Sequence, residues 1–277
     1  MAKKIFITKA DGETEQFDIQ KLISSLEKAQ GSKKTVQEVS RNVQGNLRPG
    51  MSTDQIYRKA FSALKKLERP VAARYSMKRA ILDLGPSGFP FEDFVAEIFR
   101  AKGLSVERGK IMQGSCAEHE VDIVASSDKS FAVGEIKFHN DLGLKSDLKV
   151  ALYVHSRVED LRKHRIRHGE RPIDEGWLIT NTSFTRAAIQ YAQCAGLKTI
   201  GWTYPRYGNL QDLIEETRLH PITCLTSLTQ GDKIALMQKG IVLCKSIDEN
   251  QRALSTAGIT GGKLIRALDE GKKLCGI

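Results

Sequence analysis

No apolar run in this 277-residue chain approaches the roughly 20 residues that a membrane-crossing helix needs. The opening MAKKIFITKADGE has none of the apolar stretch that a secretory signal carries. The expectation is a soluble, cytoplasmic protein with no membrane partner. Cysteine is scarce and scattered: Cys116, Cys194, Cys224, Cys244 and Cys275 form no CxxC pair and no Cys/His cluster. That excludes a recognisable zinc motif, and an odd, dispersed set argues for reduced thiols over a disulfide framework. Internal repeats and low-complexity segments are missing too. What remains is 40% hydrophobic and 27% charged, enough for ordinary globular packing, with room for two or three domains.

Acidic residues run short in one third of the chain. Residues 1–90 hold 17 Lys and Arg against 9 Asp and Glu, a net +8, whereas 91–219 come to −1 and 220–277 to +3. A basic N-terminal third suits an anionic ligand, nucleotide or nucleic acid, and suits a solvated surface equally well.

Periodicity divides the chain. Residues 5–17 alternate and turn at Asp11-Gly12, which predicts a hairpin. Asp18 is placed to cap a helix bearing Ile19, Leu22, Ile23 and Leu26. Thr35 with Glu38 reads as a capping box for a second helix. Ser52 with Gln55 opens a third, and Pro70 a fourth that runs through Tyr75 to Leu84. GPSGFP at 85–90 reads as a linker. Beyond it, Phe91, Phe94, Val95, Ile98 and Phe99 make one helix face. Strands are predicted at about 104–111, 119–125, 131–138, 176–180 and 197–202, with helices at about 144–162, 183–195 and 209–217. That alternation predicts an α/β core over 86–219, a mixed sheet layered by helices. Residues 220–277 read as all-helical, with turns at KGI and AGITGGK.

The stretch HEVDIVASSDKSFAVGEIKFH, 119–139, sets charges in strands that otherwise look buried. Alternate strand residues face the same way, so Glu135 and Lys137 share a face while Ile136 and Phe138 point oppositely. If the two strands pair, Asp122 and Glu135 converge with Lys137 beside them. One buried carboxylate is costly and two together are worse. A bound Mg²⁺ or Mn²⁺ resolves this, since hard cations favour carboxylate oxygens; a salt bridge from Lys137 resolves it too. The residues alone leave both open.

Asp122 followed by Glu135-Ile136-Lys137 resembles the signature of the PD-(D/E)xK nuclease superfamily. Glu92, in FEDFVAEIF, stands where Mrr-like restriction endonucleases often carry an acidic residue. LITNTSFTRAAIQYAQCAGLKTIGW resembles the strand–helix–strand that completes an Mrr-like core, so the likeness covers about 90–217. Val121 replaces the usual proline. The resemblance implies hydrolysis of DNA phosphodiesters, with Asp122 and Glu135 holding Mg²⁺ or Mn²⁺ and Lys137 assisting. Glu92 would add a carboxylate or position a water. Glu120 and His139 flank this set, with surface or supporting roles expected. RKHRIRHGER, 162–171, suits phosphate contact and suits a solvated loop as well.

FITKADGETEQFDIQKLISSL, MSTDQIYRKAFSAL and ARYSMKRA resemble an ATP-cone, the regulatory nucleotide-binding domain of ribonucleotide reductases and their repressors, over roughly 4–84. This implies ATP or dATP as a regulatory ligand, with Lys9 and Lys21 at the phosphates and Asp18, Thr53 and Tyr57 near the base or ribose. Ala10 stands where the family usually has arginine, so one phosphate contact is lost, with Arg79 a candidate replacement. No GxxxxGK[ST] loop is present in this domain, so hydrolysis of the nucleotide is not expected. MQKGIVLCKSI and LSTAGITGGKLIRALDEGKKL resemble helix-hairpin-helix modules, in which Gly258, Gly261, Gly262 and Lys263 would meet a DNA phosphate. A helical dimerisation or docking domain is the open alternative. The sum is a small hairpin-plus-four-helix ATP-cone, a restriction-endonuclease-like core and an all-helical C-terminal domain. The expected function is metal-dependent DNA cleavage regulated by adenine nucleotide. The rivals are a catalytically inactive, nucleotide-responsive DNA-binding regulator and a nuclease directed at RNA. Paired cuts on a duplex would call for a homo-oligomer, which no sequence feature establishes.

Overall fold

The computed structural model describes residues 5–9 and 12–275. Ala10 and Asp11 therefore lie outside the described residues, the first of them the position at which the ATP-cone pattern is broken. The chain divides into two compact units, one of the described residues up to Ala80 together with those from His220 onward, the other of Ile81–Leu219.

In the first unit, β1 (Phe6–Thr8) and β2 (Thr14–Gln16) form an antiparallel hairpin in which Ile7 faces Glu15. Four helices follow: α1 (Ile19–Lys28), α2 (Lys33–Gly45), α3 (Thr53–Leu67) and α4 (Arg69–Tyr75). Asp18 caps α1 by accepting from the Gln20 amide, and Ser52 and Gln55 close a reciprocal capping box on α3. The cap of α2 differs from expectation. Ser32 takes that position and Thr35 lies inside the first turn, because Glu68 accepts from both the Ser32 and Thr35 hydroxyls and so draws Thr35 into the helix. The predicted fourth helix is interrupted at Ser76, whose hydroxyl donates to the Ala73 carbonyl, and resumes as α5 (Met77–Leu82). Leu26, Val39, Ala60 and Leu64 are fully enclosed at the centre, where the apolar stripes of α1 to α3 meet. The hairpin is tied to the start of α3 by Thr8 N donating to Met51 O and Gly50 N donating to Phe6 O; Gly50 supplies the φ of +79° this turn requires.

The second unit begins with α6 (Phe89–Ala101), then β3 (Ser105–Gln113), β4 (Glu118–Ser126) and β5 (Phe131–Lys137) as an antiparallel meander. After the two-residue β6 (Lys145–Ser146) come α7 (Leu148–Arg167), β7 (Glu175–Thr180), the two-residue β8 (Ser183–Phe184), α8 (Arg186–Cys194), β9 (Leu197–Ile200) and α9 (Leu210–Thr217). The sheet order is β3-β4-β5-β7-β9, with β5, β7 and β9 parallel. Neighbouring Gly176 and Trp177 point to opposite faces. Val158 of α7 closes on Gly176, while Phe99 of α6 stacks on Trp177 at 4.5 Å, so the two helices layer opposite faces. The helix expected at 144–162 starts and ends later. Lys145 and Ser146 pair with Ser183 and Phe184, Asp147 then caps α7, and the basic stretch from 162 continues the helix to Arg167. It is therefore largely helix and not a loop.

Residues from His220 onward are helical, as expected: short 3-10 turns at Ile222–Cys224 and Cys244–Ile247, and α10 (Gln230–Met237), α11 (Gln251–Thr256) and α12 (Gly261–Cys275). They pack back on the N-terminal segment. The Thr223 hydroxyl donates to the Ala80 carbonyl at 2.5 Å, and Cys224 Sγ lies 3.5 Å from Met77 Sδ. Among the described residues no helix is long and apolar enough to cross a membrane.

Candidate active site

The β4–β5 ladder runs from Ser126 opposite Phe131 to Ile123 opposite Gly134. One step further the register sets Asp122 against Glu135, and there the strands part. Asp122 Oδ2 accepts from the Ile136 amide at 2.7 Å, a side chain standing in for a ladder bond. On its other side β5 stays paired with β7 as far as Lys137 opposite Thr180. Glu135 is half-buried, Ile136 buried and Lys137 exposed, so Glu135 and Lys137 share the more open face at the end of this central strand.

The charges are held uneasily. Burial raises Asp122 above the usual carboxylate range, against the Ile136 amide, which lowers it. Burial and then the charge of Asp122 raise Glu135. Glu92, in the first turn of α6, is pushed up to about 7, by burial first and Asp122 second. Two acids so raised by burial and by their neighbours' charge form a site short of a counter-charge. Lys137 does not supply it as a salt bridge: among the described residues it makes no ion pair. Arg157 of α7 does so in part, its NH1 group donating to Glu135 Oε2 and, at 2.9 Å, to the Glu120 carbonyl. Sequence reasoning missed Arg157. It stands between Val154 and Val158, on the border of the buried stripe of α7, and periodicity does not say which strand residue such a border position meets.

Neighbouring groups have structural partners. His139 is gripped through its backbone by Asn181 and bonds Ser146 through Nε2, and burial, then Lys137, holds its imidazole low. Glu120 offers its backbone carbonyl. Asp160 accepts from the Cys116 and Ala117 amides and from His119, pinning the β3–β4 turn to α7. The His119 hydrogen bond chiefly lowers Asp160, to about 2. In the basic stretch, Arg162 bonds Glu159, Arg165 bonds Glu170 and Arg171 bonds the Ser127 carbonyl, while Lys163 and Arg167 are exposed.

Among the residues expected to meet nucleotide, Lys9 and Lys21 converge on Glu15, at 4.0 and 2.9 Å, and Lys9 also bonds Glu13. A bridge pairs Thr8 with Ser52, one residue before Lys9 and Thr53. One turn on, the Tyr57 ring stacks on Tyr75 at 5.3 Å with the Arg79 guanidinium 4.6 Å over it, and Arg79 also pairs with Asp54. The Asp18 side chain is engaged as the α1 cap. In the C-terminal segment Gly258 and Gly261 take φ of +77° and +55°, and Lys263 pairs with Asp232 at 2.5 Å.

The hairpin-plus-helix unit and the mixed sheet with its carboxylate pair define an ATP-cone fused to an Mrr-like restriction-endonuclease domain. Family models agree: one for the ATP cone domain matches residues 5–83, one for a restriction endonuclease matches 85–201, and one described as AF1548-like, C-terminal matches 220–275. An uncharacterized protein of Archaeoglobus fulgidus is 32% identical over 183 residues, 66% of this chain and 100% of that protein. The crystal structure of a protein of unknown function, AF1548, is similar at 31% identity and a TM-score of 0.55, covering 69% of this chain and 99% of that one. The chain belongs to the AF1548-like family.

Proposed function

We propose that the protein is a Mg²⁺- or Mn²⁺-dependent DNA endonuclease whose ATP-cone binds ATP or dATP as a regulatory ligand. One observation carries this reading: β4 and β5 part where Asp122 meets Glu135, leaving two half-buried carboxylates beside an exposed lysine that makes no ion pair among the described residues. An all-oxygen donor set raised first by burial fits a hard divalent cation. Among the described residues no three His, Cys, Asp or Glu side chains form a ready cluster, so Asp122 and Glu135 would hold the ion with solvent and substrate completing its shell. Such an ion, when bound, acidifies water and neutralises charge building at phosphorus. Lys137 Nζ would donate to the phosphate oxygens as that charge grows. The Glu92 carboxyl, half-protonated near neutrality, suits the uptake of a proton from water. Lys9 and Lys21 would exchange Glu15 for nucleotide phosphates.

A plasmid-nicking assay with Mg²⁺ or Mn²⁺ tests the reading, with Asp122→Ala and Lys137→Ala beside wild type. Nicking by wild type that both variants lose is the expected result. DNA binding without cutting in either metal would instead favour a catalytically inactive regulator, a reading favoured by the grip of Arg157 on Glu135. Regulation is tested by cleavage rates with and without ATP or dATP, in protein shown to bind them; equal rates would remove it.

A further inference from the structure

Arg157 is a poorly satisfied residue for its depth. Its side chain is 16% exposed, and its guanidinium lies 4.5 Å over the Tyr153 ring. One nitrogen serves both Glu135 and the Glu120 carbonyl, so it spans the two strands where they separate. Its Nε is buried with no hydrogen-bond partner among the described residues. A guanidinium placed only to brace a fold normally has its buried donors used, because an orphaned N–H is costly. Here one donor is spent on the carboxylate that a cation would need and another on nothing.

We propose that Arg157 is a placeholder for the divalent cation: it holds Glu135 in place while the site is empty and yields that carboxylate when the ion arrives. The inference rests on Asp122 and Glu135 being the cation's ligands. Cation and guanidinium compete for one carboxylate and repel each other. Once displaced, Arg157 retains donors that match a phosphate. Arg157 is thus a positioning residue. The geometry implies that cation affinity in the absence of DNA is held down by a resident positive charge.

The test is calorimetric titration of the full chain with Mn²⁺ alone at pH 8, without DNA. Removing one positive charge beside a divalent site is worth roughly tenfold in affinity even with water-like screening. Arg157→Gln is therefore expected to bind Mn²⁺ about tenfold more tightly, Arg157→Lys to bind it as wild type does, and Asp122→Ala to abolish binding in either background. Arg157→Met, which keeps an aliphatic stem against Tyr153, replaces the glutamine variant if thermal melts show it unfolded. Binding that requires Asp122 but is unchanged or weakened in the uncharged variants would overturn the placeholder and leave the active-site reading standing. Binding indifferent to Asp122, or none, would overturn both.

Discussion

Glu92→Gln should stabilise the protein at alkaline pH and leave it nearly unchanged in acid. The Glu92 carboxyl is raised from 4.5 to about 7, by burial before anything else. A group whose folded pKa is raised binds protons more tightly when folded, so its contribution is fully present below pH 4.5 and is lost as pH rises to about 7. Each pKa unit corresponds to about 1.4 kcal/mol, which would give about 3 kcal/mol across the interval. Glu92 is only half-buried, so solvent screening reduces this to about 1 kcal/mol. Glutamine keeps the shape without titrating. Melts followed by circular dichroism at pH 4.5 and pH 8 should show the variant gaining about 3 °C over wild type between the two, and saturating Mn²⁺ should shrink the gain by supplying the missing counter-charge. A difference in melting temperature that is the same at both pH values would refute the account of Glu92 as a strained acid.

Replacing Lys137 with alanine should cut nicking about 100-fold or more while leaving the melting temperature within about 2 °C, since this exposed side chain makes no ion pair among the described residues. Lys9→Ala with Lys21→Ala should weaken ATP binding, read by fluorescence or calorimetry, by about tenfold or more; unchanged affinity would take both lysines out of the nucleotide site. Gly134→Ala should destabilise by about 1–3 kcal/mol in urea unfolding, because a Cβ there would lie 2.9 Å from Ile123 Cγ2 and 3.1 Å from Trp177 Cβ. Glu68→Ala should cost about 1–3 kcal/mol, leaving the Ser32 and Thr35 hydroxyls without their acceptor.

Much of this architecture is legible in the sequence because it is periodic. The alternation of Glu120, Val121, Asp122 and Ile123, running into the apolar Val124 and Ala125, shows strand β4, and the stripes of α1 and α3 with their caps at Asp18 and Ser52 show those helices. What escaped reading depends on partners distant in sequence. Thr35 lost the cap because its hydroxyl answers to Glu68, 33 residues on. The β6–β8 pair is two residues long on each side, too short for any period to register. Arg157 meets Glu135 across 22 residues and a change of element, and no local pattern in α7 names that partner. The sequence placed the acids and left open what neutralises them.

The packing of Thr223 and Cys224 against Ala80 and Met77 bears on how the protein is made. The N-terminal segment leaves the ribosome ahead of this cover, and Ala80 waits 143 further residues for Thr223, Met77 147 for Cys224. At roughly 5–20 residues per second that interval is on the order of 7 to 30 s. The intervening sheet unit has time to complete itself before the first helices are sealed, and during that wait Met77 and Ala80 are apolar surface for a chaperone to shield.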